Sequence, residues 1–308
     1  MPIVREKKAK HDAYLTNLLE VILMRTEQEM FDIILNIAKE DQRIRAAYMN
    51  GSRANPNIKK DKYQDYDIVY VVTETSSFLQ NSNWITRFGE LAMVQEPDSN
   101  DLGWGHTSDF SSSYAWLMLF KDGNRIDLSI KTKDAMLKEY LNDTLTVPLI
   151  DKDSILPQIP TSNDRGYWIN KPTNAQYSGC CNEFWWCLNN VAKGIVRDQI
   201  SYTMRMYYEV VHVQLDIMLE WYVGIETNFS VSVGMWGKYV KEYLPFQLYE
   251  QYKRTYSTYE DLWTAIIEAC ELFRTVAVNV GQSLGFDYNR SDDDNMMDYL
   301  TKVKNNEL

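Results

Sequence analysis

Asp65 and Asp67 stand two residues apart at the head of an apolar run, and no other pair in this chain is better spaced to do chemistry. In an extended strand alternate side chains share a face, so both carboxylates point one way while Tyr66 and Ile68 turn into a core. Two carboxylates at close range repel unless a cation sits between them, and a hard divalent ion with oxygen ligands suits the pair. A third acid, Asp127, is flanked by Ile126 and Leu128 and so faces opposite to two apolar neighbours. About a dozen residues before the pair lies the run Asn50-Gly51-Ser52-Arg53, whose glycine lets backbone N–H groups and a hydroxyl approach a phosphate closely. Three acids on neighbouring strand faces, with Gly51 and Ser52 opposite, are expected to form a Mg2+–nucleotide site.

Such a site needs strands to hold it. Within residues 25–41, Met30, Phe31, Ile33, Ile34, Ile37 and Ala38 mark a helix facing a core. Ile44–Met49 reads as a strand ending at Asn50-Gly51-Ser52, and Tyr66–Val72 as a buried strand of β-branched and aromatic residues. Leu91–Gln95 is a weaker strand. Residues 115–120 and 125–130 form a hairpin, since Asp122-Gly123 supplies the positive φ of its turn. Residues 147–172 hold four of the eight prolines and no clear period, so the domain junction is placed there. Beyond them the period is helical over residues 184–195, 204–222 and 259–284, with shorter helices around 238–243 and 247–255. The last residues are polar, with Asp292, Asp293 and Asp294, and are expected to be only partly ordered. The expected organisation is a leader helix or extension over 1–23, an α/β domain over 24–160 and a helical domain over 161–308.

Composition narrows the partners. Thirty-two Lys and Arg against 43 Asp and Glu leave a charge of −11, which disfavours nucleic acid and favours a cationic partner. Most of the excess lies after residue 150. No apolar run reaches the roughly 18 residues of a membrane span, and no cleavage site follows the basic start, so neither a membrane nor a signal peptide is expected. Cys180, Cys181, Cys187 and Cys270 lack zinc-site spacing, and the three histidines are too few to help them. They are read as buried free thiols in a reducing, cytoplasmic setting. His106 is read as a surface-loop residue and His212 as structural; His11 falls in the leader. Trp185, Trp186, Trp221, Tyr222 and Trp236 are read as core.

The order helix, strand, Gly-Ser, loop, Asp-x-Asp strand, then strand-Asp resembles the nucleotidyltransferase superfamily typified by DNA polymerase β. The runs Asn50-Gly-Ser-Arg53, Gln64-Asp-Tyr-Asp-Ile68, Asp122-Gly-Asn-Arg-Ile-Asp-Leu128, Leu149-Ile-Asp-Lys-Asp153 and Cys180-Cys-Asn-Glu-Phe-Trp185 resemble one branch more closely. That branch is the bacterial aminoglycoside 6-adenylyltransferases, the streptomycin-modifying enzymes. Val191-Ala-Lys-Gly194 and Gly237-Lys-Tyr239 carry the same likeness, which spans residues 24–284.

The resemblance implies an α+β fold: a polymerase-β-like nucleotidyltransferase domain with a mixed sheet, followed by an all-α helical bundle. It implies transfer of AMP from ATP to the 6-hydroxyl of streptomycin, with release of pyrophosphate. Asp65 and Asp67 would hold Mg2+, and Asp127 would be general base or third metal ligand, with Glu183 a rival base. Gly51 and Ser52, with Arg53 beside them, would hold the phosphates. Lys193 would meet the triphosphate, and Lys238 is a weaker candidate. Glu209 and Asp216, nearly on one helix face, with Glu220 beyond, would offer charge-assisted bonds to a polycationic drug. Other acceptors stay open: another aminoglycoside, a lincosamide or a protein hydroxyl. So does a non-catalytic nucleotide-binding role. Oligomeric state has no signature in the sequence.

Overall fold

The computed structural model describes residues 23–307, in two compact units divided between Gly166 and Tyr167. The expected leader lies outside the described residues, apart from Leu23.

The first unit is built on a six-stranded sheet in the order β3-β4-β5-β2-β1-β6. Its strands are β1 (Ile44–Met49), β2 (Tyr66–Val72), β3 (Leu91–Gln95), β4 (Ser113–Phe120), β5 (Arg125–Thr132) and β6 (Val147–Asp151). Only β2 and β5 run parallel, so the sheet is mixed. One face carries helix α1 (Glu27–Glu40), which starts at a capping box: Thr26 and Glu29 satisfy each other's backbone N–H groups. Its buried residues Met30, Ile34 and Ile37 join Ile68, Tyr70, Ile126 and Leu128 in one core cluster. The opposite face is smaller, with Tyr48, Val69, Val71, Met136 and Tyr140. Tyr66 and Ile68 therefore pack towards α1, as alternation requires.

Strand β6 corrects the reading of residues 147–172 as patternless. Pro148 hides it from a strand search, because proline cannot donate to a ladder. The strand lies at the sheet edge and pairs with β1 alone, through a register shift at Ala47/Tyr48, so the missing N–H is tolerated.

The second unit is helical. Helix α2 (Asn174–Val196) opens on a Thr173–Gln176 capping box and buries Tyr177, Phe184, Trp185 and Leu188. Phe184 stacks on Phe273 of α3 (Leu262–Leu284), centroids 3.8 Å apart. The polar end of the chain is a helix, α4 (Arg290–Lys304), and not a frayed tail. Asp293 has no exposed surface and accepts from Arg274 Nε at 2.6 Å and Tyr288 Oη at 2.9 Å, while Leu300 is buried in the core cluster. Two of the aromatics expected in the core are outside it: Trp186 is 65% and Trp236 92% exposed. Trp186 is one residue past buried Trp185, turned about a quarter of the way round the helix. Trp236 sits in a turn at φ +55°.

Candidate active site

Strand β1 runs out at Asn50, whose N–H still donates to Asp67 O at 2.9 Å and so carries the ladder to the head of β2. The Asn50 amide donates to Asp143 Oδ2 at 2.9 Å and Thr146 Oγ1 at 2.8 Å, which anchors the strand end. Gly51 follows at φ +72°, and a Cβ there would lie 2.0 Å from Asp67 Oδ2. Only glycine fits, on conformation and on space alike. Ser52 then opens a single 3-10 turn, Ser52–Ala54, with Ala54 N–H donating to Gly51 O at 3.1 Å. The backbone that could meet a phosphate is thus pressed against a carboxylate.

The parallel pairing of β2 and β5 sets Asp67 directly opposite Asp127, with Tyr66 opposite Ile126 and Ile68 opposite Leu128. The two acids belong to the face turned away from α1. Asp65 precedes the strand, its side chain 38% exposed against 20% for Asp127, so both are within reach of solvent.

Arg125 joins them. Its Nε and Nη2 donate to the two oxygens of Asp127, each at 2.7 Å, and its Nη1 lies 3.6 Å from Asp65 Oδ2. These bonds raise the arginine's pKa further. Arg125 has no role among the sequence-based expectations. The signal was there: two residues before Asp127 on a strand is the same face. Among the described residues no group of three or more His, Cys, Asp or Glu is gathered as a metal site. A guanidinium, that of Arg125, lies among these acids.

Arg53, expected among the phosphate donors, is instead committed elsewhere. It is buried, donates from Nε and Nη2 to Gln64 O at 3.2 and 2.8 Å, and lies 3.8 Å over the Tyr66 ring. It ties the two ends of the loop between Ser52 and Asp65 together.

In the helical unit the candidates separate. Glu183 is exposed on α2 and accepts a weak bond from Cys187 Sγ at 3.4 Å. Burial, with that carboxylate beside it, pushes the Cys187 thiol up to about 11, which leaves it protonated and unreactive. The four cysteines are free and buried. Lys193 donates to Asn189 Oδ1 at 2.7 Å and lines a cavity of about 520 Å³ with Asn182, Trp186, Asp292 and Tyr299. Lys238 lies 5.2 Å from the Tyr239 ring.

Glu209 and Asp216 do not share a partner. Glu209 accepts from Arg205 Nε at 2.9 Å, whereas Asp216 accepts from Tyr252 Oη at 2.8 Å and lies 3.4 Å from His212 Nδ1. Seven residues apart along a helix is about 10 Å, so separate partners are expected; a π-helical stretch, Met206–Val211, also precedes the α-helix His212–Glu226. A π turn is wider than an α turn, so a 3.6-residue count taken across it misplaces faces. His212 is structural: its Nε2 bonds Thr255 Oγ1 at 2.8 Å, and that hydroxyl donates onward to Tyr252 O at 2.7 Å. Glu220, one turn after Asp216, has its pKa raised by burial and by that neighbouring charge.

A family model described as streptomycin adenylyltransferase matches residues 24–303, which takes in α4 as well as everything the sequence runs covered. An aminoglycoside 6-adenylyltransferase of Bacillus subtilis is 37% identical over 270 residues, 86% of this chain and 93% of that protein. One from Campylobacter jejuni is 35% identical over 86% of this chain and 91% of its own length. One from Staphylococcus aureus is 33% identical over 82% and 89%.

Proposed function

This chain belongs to the streptomycin adenylyltransferase family, and from that premise we propose that it transfers AMP from ATP to the 6-hydroxyl of streptomycin, inactivating the drug. The observation that carries the reading is the pairing of Asp67 with Asp127 across parallel strands, with Gly51 against Asp67. The donor set is all carboxylate oxygen, which suits Mg2+; Asp65 and Asp67 would hold it, with Asp127 as base or third ligand. When bound, the ion supplies charge neutralisation on the phosphates. Backbone N–H groups at Gly51 and the Ser52 hydroxyl donate to the β- and γ-phosphates. Asp127, as base, takes the proton of the acceptor hydroxyl, whose oxygen forms a bond to the α-phosphorus as the bond to pyrophosphate breaks.

Lys193 is assigned to the triphosphate, and Glu183, Glu209 and Asp216 to the cationic acceptor, on the family resemblance. Asp216 suits that role best: its side chain is 41% exposed, and Tyr252 fixes one of its oxygens. A guanidinium or ammonium of the drug gains most from a carboxylate already oriented. The enzyme is proposed to act in the cytoplasm. Pyrophosphate release from ATP, measured across a panel of aminoglycosides and a lincosamide, tests the reading. Release with streptomycin that vanishes in Asp65→Asn and Asp67→Asn supports it. Undiminished release in those variants sinks the mechanism, and release with a different acceptor alone sinks the substrate.

A further inference from the structure

We infer that Arg125 is a positioning residue that takes the place of the divalent cation among the aspartates and yields it when metal and nucleotide arrive together. The inference rests on reading Asp65, Asp67 and Asp127 as the metal-holding acids.

Like charges directly opposite on paired strands repel, and Asp67 and Asp127 are so paired. Asp65, two residues before Asp67, brings a third negative charge to the cluster. Some cation must offset them. Arg125 does so from the same strand as Asp127, with a two-pronged bond to both oxygens and its third nitrogen towards Asp65. That fork occupies the in-plane lone pairs of Asp127, and a divalent ion drawn to the same carboxylates would meet a fixed positive charge at contact range. Metal alone must therefore displace the guanidinium and leave it without its anion. Metal with ATP brings phosphate oxygens, the one ligand that matches a guanidinium fork as well as a carboxylate does. The exchange then costs little, and the two ligands bind cooperatively. At 42% side-chain exposure Arg125 can swing aside without opening the core. Three other Arg–Asp forks lie in this unit: Arg25 on Asp122 and Arg43 on Asp41 have acids only 6% and 10% exposed, and Arg45 on Asp153 meets one carboxylate, whereas Arg125 reaches a second acid as well.

The test uses Mn2+ as probe, with free ion counted by electron paramagnetic resonance on the full chain, with and without a non-hydrolysable ATP analogue. Wild type is expected to bind Mn2+ weakly alone and much better with the analogue. Arg125→Gln is expected to bind Mn2+ alone about three- to tenfold tighter and to gain less from the analogue. Arg125→Lys, which keeps the charge and loses the fork, is expected to fall between them, and stands in should the glutamine variant fold poorly. Mn2+ binding that is unchanged or weaker in both variants overturns the inference and leaves Arg125 an ordinary ion pair. Asp65→Asn and Asp127→Asn form a separate arm: if they bind Mn2+ as wild type does, it is the reading of the acids that fails.

Discussion

The sheet and the helical unit both carry acidic residues that sequence spacing singles out, and they treat them in opposite ways. In the sheet, spacing translates directly into place: two residues along a strand is one face, and one rung across is contact. Asp67 and Asp127 meet by register, and Gly51 closes on Asp67 because no side chain intervenes. In the helical unit the same kind of count brings no such meeting: a π stretch interrupts the pitch, and Glu209 and Asp216 each have their own partner. A ladder propagates geometry over long sequence distances. A single helix does so only while its pitch is constant.

The contrast can be broken most decisively at Gly51. Gly51→Ala drives a methyl into Asp67 Oδ2, and pyrophosphate release is expected to fall about 10³-fold or more. Near-normal turnover in that variant would mean register does not build the site. Asp293→Ala tests whether helical acids matter to the fold instead: it strands Arg274 and is expected to cost about 3–5 kcal/mol in urea unfolding. A cost under 1 kcal/mol would show that α4 is not held by that pair.

Asp122 offers a smaller, pH-dependent check within the sheet unit. Burial alone would raise its pKa, but bonds from Arg25 and Asn124 outweigh this and hold it well below the usual carboxylate range. A depressed folded-state value means its contribution is complete above the unfolded pKa, near 4, and drains away as pH falls through the folded value. Thermal melts below pH 4 should therefore lose stability in wild type. In Asp122→Asn part of that slope should be absent, on a baseline about 1–2 kcal/mol lower at neutral pH. An unchanged slope would remove Asp122 from the account.

The smallest effects separate the two helical acids. Asp216→Asn is expected to raise the KM for a cationic acceptor several-fold, about 1 kcal/mol, with kcat little changed. Glu209→Gln, whose exposed partner Arg205 is one turn away, should shift KM less than about twofold. Equal shifts would mean the two acids act alike on the acceptor.

These differences mark what the sequence could disclose. The strands β1, β2 and β3 were legible to the residue, because alternation and β-branching are local. Arg125 was legible in principle by the same rule that found Asp127, but its charge is opposite to the cluster and a search for ligands passes over it. Strand β6 was hidden by Pro148, harmless only because the strand lies at an edge. Helix α4 was hidden by its charges. A run of three aspartates reads as solvated, and only tertiary placement buries Asp293 against Arg274. Arg53's inward packing was not legible: next to Gly-Ser it suggests phosphate, and only the loop that folds back to Gln64 shows the side chain bonded there.

The parallel pairing of Asp67 with Asp127 has a kinetic side. The two residues are sixty apart in sequence, with β3 and β4 in the chain between them. Loop closure over that span is an entropic toll that no local hairpin shares, and such contacts form late. The β4–β5 hairpin and α1 can nucleate early, but neither brings two acids together. If the Asp67–Asp127 pair is the centre of the proposed reaction, recovery of activity on refolding is expected to trail recovery of secondary structure.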